Sequence, residues 1–485
     1  MADWKNEPPS LVYLAIFNPS LAPKDETALE QICLFHPNTT PQNEKARQVG
    51  LAQALVNFTS TFSPNTPCET VHTRKHRVVL LEAEKGYWMV MKVRLGTRTR
   101  LRDGKKVTEF LGSDIKDSIL KAVLRRCANT FKLFHGGLDY VRQKRSLSAL
   151  RNLLEEFYIS YLQRIDFGSL DLLYALNGIN FASLSKTAYT DIASFIHTLS
   201  ATFPELKTPV FLWHDQLVWN GLQSFEELQT LYSYLTDPAT GRVYDGLVNQ
   251  VKRKGEPIIA TRRPSLQPSK SGRTRSIASK LRPNQRFSGY LIGPTDTTSD
   301  DVNLHKTFID DKEHVLIVYQ YDDECTLVFP VLHSEPSGGN LRSGSFYTRL
   351  AAFLQPNLKV LVPLLTEGWA KARNLSEFAD QHFRYLYYNS MNLAFKTSIG
   401  MYKSTVLKSD LVQCLNQMHE DFASASGPDA VNEICMKTSS EAWIVGRRSG
   451  DRELYLIFPK SDMGLVDVDD EVSKFTMAYF SDILQ

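Results

Sequence analysis

The stretch from Asn43-Glu44-Lys45 to Met91-Lys92-Val93 decides the fold of this chain. Its first part carries Leu51, Leu55, Phe58 and Phe62, at steps of four, three and four residues. That spacing places them on one helical stripe and predicts a face buried against a sheet, with a partner interface as the alternative. Pro64 ends the helix, because the residue before a proline is pushed out of the helical region. The strand Tyr87-Trp88-Met89-Val90-Met91-Lys92-Val93 follows. Tyr87 and Trp88 are neighbours in it and point to opposite faces. One is core; the other is covered by a helix or open to a partner. Upstream, Leu11–Phe17 and Ile32–Phe35 read as a strand pair closed by His36-Pro37-Asn38.

The same order recurs twice downstream. A polar basic turn from Thr97 to Lys106 leads to two helical stripes, Ile115/Ile119/Ala122/Arg126 and Leu147/Leu150/Leu154/Phe157/Tyr161. Residues 166–207 read as a mixed bridge. A second unit opens on a hairpin, Val210–Trp213 and Leu217–Trp219. A helix with Phe225, Leu228, Leu231 and Leu235 follows. Strand patterns come next at 286–292, 314–319 and 326–331, then helical patterns at 343–353 and 357–379. A third unit has strands near 384–388 and 392–397 and a helix with Leu407, Leu411, Leu415, Met418 and Phe422. Strands at 431–436, 442–447 and 453–458 and a last helix with Val472, Phe475, Tyr479 and Ile483 complete it. The expectation is α/β: three sandwiches spanning 8–165, 166–380 and 381–485, each a mainly antiparallel sheet flanked by helices.

At 485 residues the chain exceeds one ordinary core. Its apolar and charged fractions, 42% and 22%, are those of a globular protein. A formal charge of +3 creates no global field for nucleic acid. Six cysteines without a Cys-x-x-Cys pair read as buried free thiols in a reducing cytosol. No signal region or apolar run of spanning length is present.

No phosphate-binding loop, nucleophile elbow, metalloprotease pair or zinc spacing occurs. His72 and His76 sit among cations in Thr73-Arg74-Lys75-His76-Arg77 and read as solvated. Asp322-Asp323-Glu324 reads as a hairpin turn rather than a cation site. No metal or cofactor is expected.

Several motifs nonetheless run in a shared order. They are Leu34-Phe35-His36-Pro37-Asn38, Phe58-Thr59-Ser60-Thr61-Phe62-Ser63-Pro64, Trp88-Met89-Val90-Met91, Asp215-Gln216-Leu217-Val218-Trp219-Asn220-Gly221-Leu222, Tyr388-Asn389-Ser390-Met391-Asn392-Leu393-Ala394 and Trp443-Ile444-Val445-Gly446-Arg447. Together they resemble the vacuolar fusion protein Ccz family. The resemblance implies three longin domains and a role as one subunit of the Mon–Ccz exchange factor for the late-endosomal Rab GTPase (Rab-seven). It implies pairing with a Mon subunit through the first domains, with a third regulatory subunit in animals. It also implies a cytoplasmic chain recruited to late endosomes and lysosomes. Exchange needs no nucleophile, only tighter binding of the nucleotide-free GTPase, and a ten-thousandfold acceleration corresponds to about 5.5 kcal/mol. Within that first domain, partner or Rab contacts are expected at His36, Pro37, Asn38, Asn43, Lys45, Arg47 and Trp88. The bland alternative is a turn and a solvated helix start. A tethering or coat scaffold that binds the GTP form without exchange is the competing function.

Between Val251 and Arg286 stand eleven Lys or Arg against Glu256 alone. Four prolines and many serines accompany them, a composition expected to stay disordered. Lys252, Arg253, Lys254, Arg262, Arg263, Arg273 and Arg275 are the candidates for contact with an anionic or phosphoinositide membrane. A solvated spacer is the other reading. Nucleic acid is disfavoured, because no aromatic residue is interleaved for base stacking.

Overall fold

The computed structural model describes residues 5–22, 29–63, 67–102, 105–112, 115–168, 170–236, 288–293, 305–322, 324–333, 341–399, 409–424, 431–459 and 463–480. The basic segment 251–286, with its seven candidate membrane residues, lies outside them, as do Leu407 and Ile483.

The chain begins with β1 (Lys5–Glu7), β2 (Ser10–Phe17), β3 (Ile32–His36), helix α1 (Gln42–Phe62), β4 (Thr70–His72), β5 (His76–Glu84) and β6 (Tyr87–Arg94). Strands β2 to β6 form an antiparallel sheet in the order β3-β2-β6-β5-β4. Alternation along β2 sends Leu14 and Ile16 to one face and Tyr13, Ala15 and Phe17 to the other. Helix α1 covers the second face through Val49, Ala52 and Val56, packed on Phe35, Leu80 and Val90. The expected core stripe is therefore the wrong side of this helix. Leu51, Phe58 and Phe62 are 57%, 65% and 75% exposed, and Leu55 is half-buried. The physical reason is steric: two small valines and an alanine let α1 lie close to the sheet, and the bulkier side chains are carried outward.

The expected basic turn is instead a hairpin, β7 (Gly96–Arg102) and β8 (Lys105–Leu111). With β1 it forms a separate three-stranded sheet, order β1-β7-β8. Helices α2 (Asp117–His135), α3 (Leu138–Lys144) and α4 (Leu147–Leu162) follow. Ile119 and Val123 of α2 and Leu150, Leu154 and Tyr158 of α4 bury the other face of the first sheet with Leu14, Met89 and Met91. Phe157 and Tyr161 flank this core rather than form it. His72 and His76 stand on adjacent strands, not one helix face, and His72 Nε2 lies 2.5 Å from Asp117 Oδ2.

The bridge resolves into α5 (Leu172–Leu176), β9 (Ile179–Asn180) and α6 (Lys186–Thr202). Next come β10 (Val210–Trp213), β11 (Gln216–Asn220), α7 (Phe225–Thr236), β12 (Gly289–Ile292), β13 (His305–Ile309), β14 (Lys312–Tyr321), β15 (Cys325–Leu332) and α8 (Gly344–His382). The second sheet runs β11-β10-β15-β14-β12, with β13 also on β14. Leu350, Leu354 and Leu358 of α8 pack one face with Ile192 and Leu199 of α6, and Leu228 and Leu231 of α7 pack the other. The two helices expected at 343–353 and 357–379 are one helix of 39 residues, continuous through Pro356 and Pro363. Asp322 forms the expected β14–β15 turn, where Glu324 N–H bonds Tyr321 O at 3.2 Å.

The third sandwich contains β16 (Arg384–Asn389), β17 (Ala394–Thr397), α9 (Ser409–Ser424), β18 (Glu433–Lys437), β19 (Trp443–Ser449), β20 (Arg452–Phe458) and α10 (Leu465–Phe480). Its sheet runs β18-β19-β20-β16-β17-β9. Leu411, Leu415, Met418 and Phe422 of α9 fill one face; Val468, Val472 and Phe475 of α10 fill the other. Strand β9 joins two sheets. It pairs in parallel with β17, while the adjacent Phe181 bridges to Leu217 of β11. Gly178 permits this approach, because a Cβ there would collide with the Phe395 ring.

Candidate partner-binding site

Asn43, Lys45, Arg47 and Trp88 belong to the α1 side of the first sheet, whereas His36, level with Leu14 and Met91, alternates with Phe35 and turns to the other face. His36 ends β3 half-buried, and burial pulls its imidazole below the ordinary value. Pro37 and Asn38 follow, exposed. Lys45, in the first turns of α1, reaches back and donates to both the backbone oxygen and Oδ1 of Asn38, each at 2.8 Å. Asn38 Nδ2 in turn donates to Glu155 Oε1 of α4 at 2.8 Å. The His36–Lys45 loop is thus tied both to its own helix and to the helix on the opposite face of the sheet.

Beneath Lys45 lies an aromatic pair. Its ammonium stands 5.9 Å from the Phe35 ring centre, and Phe35 stacks on Tyr13 at 5.1 Å. Lys92 lies 5.8 Å from the Tyr13 ring. Burial, with a smaller contribution from Glu44, pushes the Tyr13 phenol up to about 12. Tyr13 therefore stays neutral and serves as a π-face for cations. Arg47 pairs with Glu44 at 2.7 Å, and both Arg47 and Asn43 are exposed. Trp88 is half-buried on the α1 face, while Tyr87 belongs to the core of the other face. Trp88 is level with Phe17 and Ile32, whereas His36 is level with Leu14 and Met91. Three residues of strand, roughly 10 Å, separate the two levels. Asn38 and Lys45 form one hydrogen-bonded cluster with Glu155, and Trp88 lies apart from it.

The sequence reading missed Tyr13, Lys92 and Glu155. The first two are separated from Lys45 in sequence, and only strand pairing brings them under α1. Beside the cluster runs the exposed stripe of α1, where Phe58 and Phe62 meet edge to face at 5.1 Å. A polar, cation-bearing loop and an exposed apolar stripe thus share one face.

Among the described residues no three His, Cys, Asp or Glu gather to hold a metal ion, and no helix is long and apolar enough to cross a membrane. All six cysteines are free; burial pushes the thiols of Cys33 and Cys127 up to about 11 and 12. Cys435 departs from the expected burial and is exposed.

Three layered α/β sandwiches, the first carrying an exposed apolar stripe on its outer helix, define the class. The family model for the first longin domain of INTU, CCZ1 and HPS4 matches residues 11–136, and that for longin-like domain 3 of Intu matches residues 379–475. The chain is 30% identical to a vacuolar fusion protein CCZ1 homolog of Xenopus laevis, over 99% of this chain and 98% of the relative. Against the homolog of Nematostella vectensis it is 32% identical, over 98% of each chain. The Dictyostelium discoideum homolog is 29% identical over 97% of each. The chain belongs to the CCZ1 family of vacuolar fusion proteins.

Proposed function

We propose that this chain is the Ccz subunit of a heteromeric guanine nucleotide exchange factor. Its target would be the late-endosomal Rab GTPase (Rab-seven), during endosome maturation and lysosome or autophagosome fusion. The supporting observation is the exposed apolar stripe Leu51, Phe58 and Phe62 on α1, with Leu55 half-buried among them. Such a stripe, rimmed by polar groups, is the signature of a partner-binding surface. Its occupant is the first longin domain of a Mon subunit. The neighbouring loop, His36 to Lys45 with Asn43 and Arg47, meets the GTPase. The units divide near residues 165 and 380. The basic segment 251–286 attaches the cytoplasmic complex to anionic late-endosomal and lysosomal membranes, and a third regulatory subunit joins the complex in animals.

Release of fluorescent GDP from the Rab tests this reading, with the chain alone, the Mon subunit alone and both together. Fast release with both only is expected. Binding of the GTP-loaded Rab without accelerated release in any combination would replace exchange by tethering.

A further inference from the structure

The edges of the three main sheets are treated unequally. Arg151 of α4 closes β3, with Nε donating to Ile32 O at 3.1 Å and Nη2 to Glu30 O at 2.6 Å. At the opposite edge, β4 has only three residues. The outer side of β11 is taken by the chain after β9, where Ala182 N–H bonds Leu217 O at 2.8 Å. α2 lies against β13, with Lys132 of α2 paired to Asp311 at 2.8 Å just beyond that strand. β12, four residues long, and β18, five residues long, each pair with a single described strand, β14 and β19, and β18 is the longer of these two edges. Proteins ordinarily blunt such edges, because an open row of N–H and C=O groups is a template for another strand.

The register identifies which groups are open. Arg448 N–H bonds Asn432 O, and Thr438 N–H bonds Ala442 O, both at 2.8 Å. Even-numbered residues therefore direct their backbone groups to β19. By alternation Glu433, Cys435 and Lys437 direct theirs outward. Side chains follow the same rule. Ile434 and Met436 flank the α9-side core. On the α10 side, Glu433 and Asp469 share the one guanidinium of Arg447, at 3.3 and 2.7 Å. Two carboxylates on one cation leave a net negative charge beside Glu433. Lys437 lies at the other end, 5.3 Å from the Trp443 ring centre.

We propose that β18 receives an extended segment of another protein as an added strand. The edge specifies its chemistry: apolar side chains at alternate positions beside Ile434 and Met436, a cation opposite Glu433 and an anion or small polar group opposite Lys437. Main-chain bonds supply affinity and the alternate side chains supply selectivity.

The probe is a fluorescein-labelled Glu-Val-Thr-Val-Arg peptide, titrated onto the full chain by fluorescence polarisation. Its reversed sequence covers parallel addition. Saturable binding is expected. Methylation of the Thr and Arg backbone nitrogens, which keeps every side chain, should weaken it at least tenfold. Cys435→Pro removes an outward N–H, a change an edge strand accommodates; the same tenfold loss with an unchanged melting curve is expected. Glu433→Lys guards against a folding defect in that variant. It should weaken the Arg peptide and favour one with Glu in place of Arg. No binding up to millimolar peptide, or equal binding of the N-methylated form, overturns the proposal. So does tighter binding once 251–286 is replaced by a Gly-Ser linker, since that would make the chain's own basic segment the occupant.

Discussion

The carboxylate of Glu227, at the start of α7, accepts the backbone N–H of Asp310 in the β13–β14 turn. Its other oxygen is buried without a partner, and the Lys132–Asp311 pair lies close by. Burial, more than any neighbour, pushes Glu227 up from 4.5 to about 7. A carboxyl with a raised folded-state value binds protons more readily folded than unfolded. Its stabilising contribution is present at acid pH and is lost as pH rises from 4.5 towards 7. Melting curves should therefore fall between pH 5 and pH 7.5, and Glu227→Gln should flatten that slope. An unchanged slope in the variant would assign it to other groups.

Exposure of the α1 stripe separates pairing from folding. Phe58→Ser and Phe62→Ser should each shift stability by no more than about 0.5 kcal/mol, as surface changes do. Leu120→Ala, at a fully buried position of α2, should cost about 3 kcal/mol. Loss of two aromatic anchors should weaken binding of the Mon subunit at least about thirtyfold. Chemical denaturation and equilibrium sedimentation read the two effects independently. Destabilisation matching Leu120→Ala would return the stripe to the core.

How much of this was legible in the sequence depended on whether one periodicity stood alone. In α9, Leu411, Leu415, Met418 and Phe422 are the dominant stripe, and all four are buried. α1 carries two stripes, Val49/Ala52/Val56 and Leu51/Leu55/Phe58/Phe62, and size favoured the wrong one. Periodicity marks a helical face but does not say which face meets the sheet. The β7–β8 hairpin escaped notice because Thr and Arg alternate there without an apolar face. β9, two residues long, has no pattern to detect. Within the candidate loop, the Asn38–Lys45 pairing joins residues seven apart in sequence. Glu155, 117 residues from Asn38, was not legible.

The first and third sandwiches meet through a testable ion pair. Lys116, just before α2, donates to Glu420 of α9 at 3.0 Å and to Gln417 at 2.9 Å. Both charged side chains are only about a quarter to a third exposed. Glu420→Lys should therefore cost about 1 kcal/mol, the upper range for accessible pairs. Combining it with Lys116→Glu should recover most of that loss. A double-mutant cycle by urea denaturation measures the coupling, and additive losses would mean the pair contributes nothing.

The Asn38–Lys45 cluster offers the sharpest test of the Rab-contact proposal, because its contribution to folding is small. Lys45 makes its two bonds to Asn38 at an exposed position, where such interactions contribute no more than about 1 kcal/mol. Lys45→Ala should leave the fold and Mon pairing intact. If the loop meets the GTPase, the same change should slow GDP release by the heterodimer about tenfold, equivalent to about 1.4 kcal/mol. Trp88→Phe is the internal comparison. Trp88 packs on the α1 side, about three strand residues from His36, so its effect should fall on stability before exchange. Unchanged release by Lys45→Ala, with normal heterodimer formation, would reduce His36-Pro37-Asn38 to a turn and move the search for Rab contacts away from this loop.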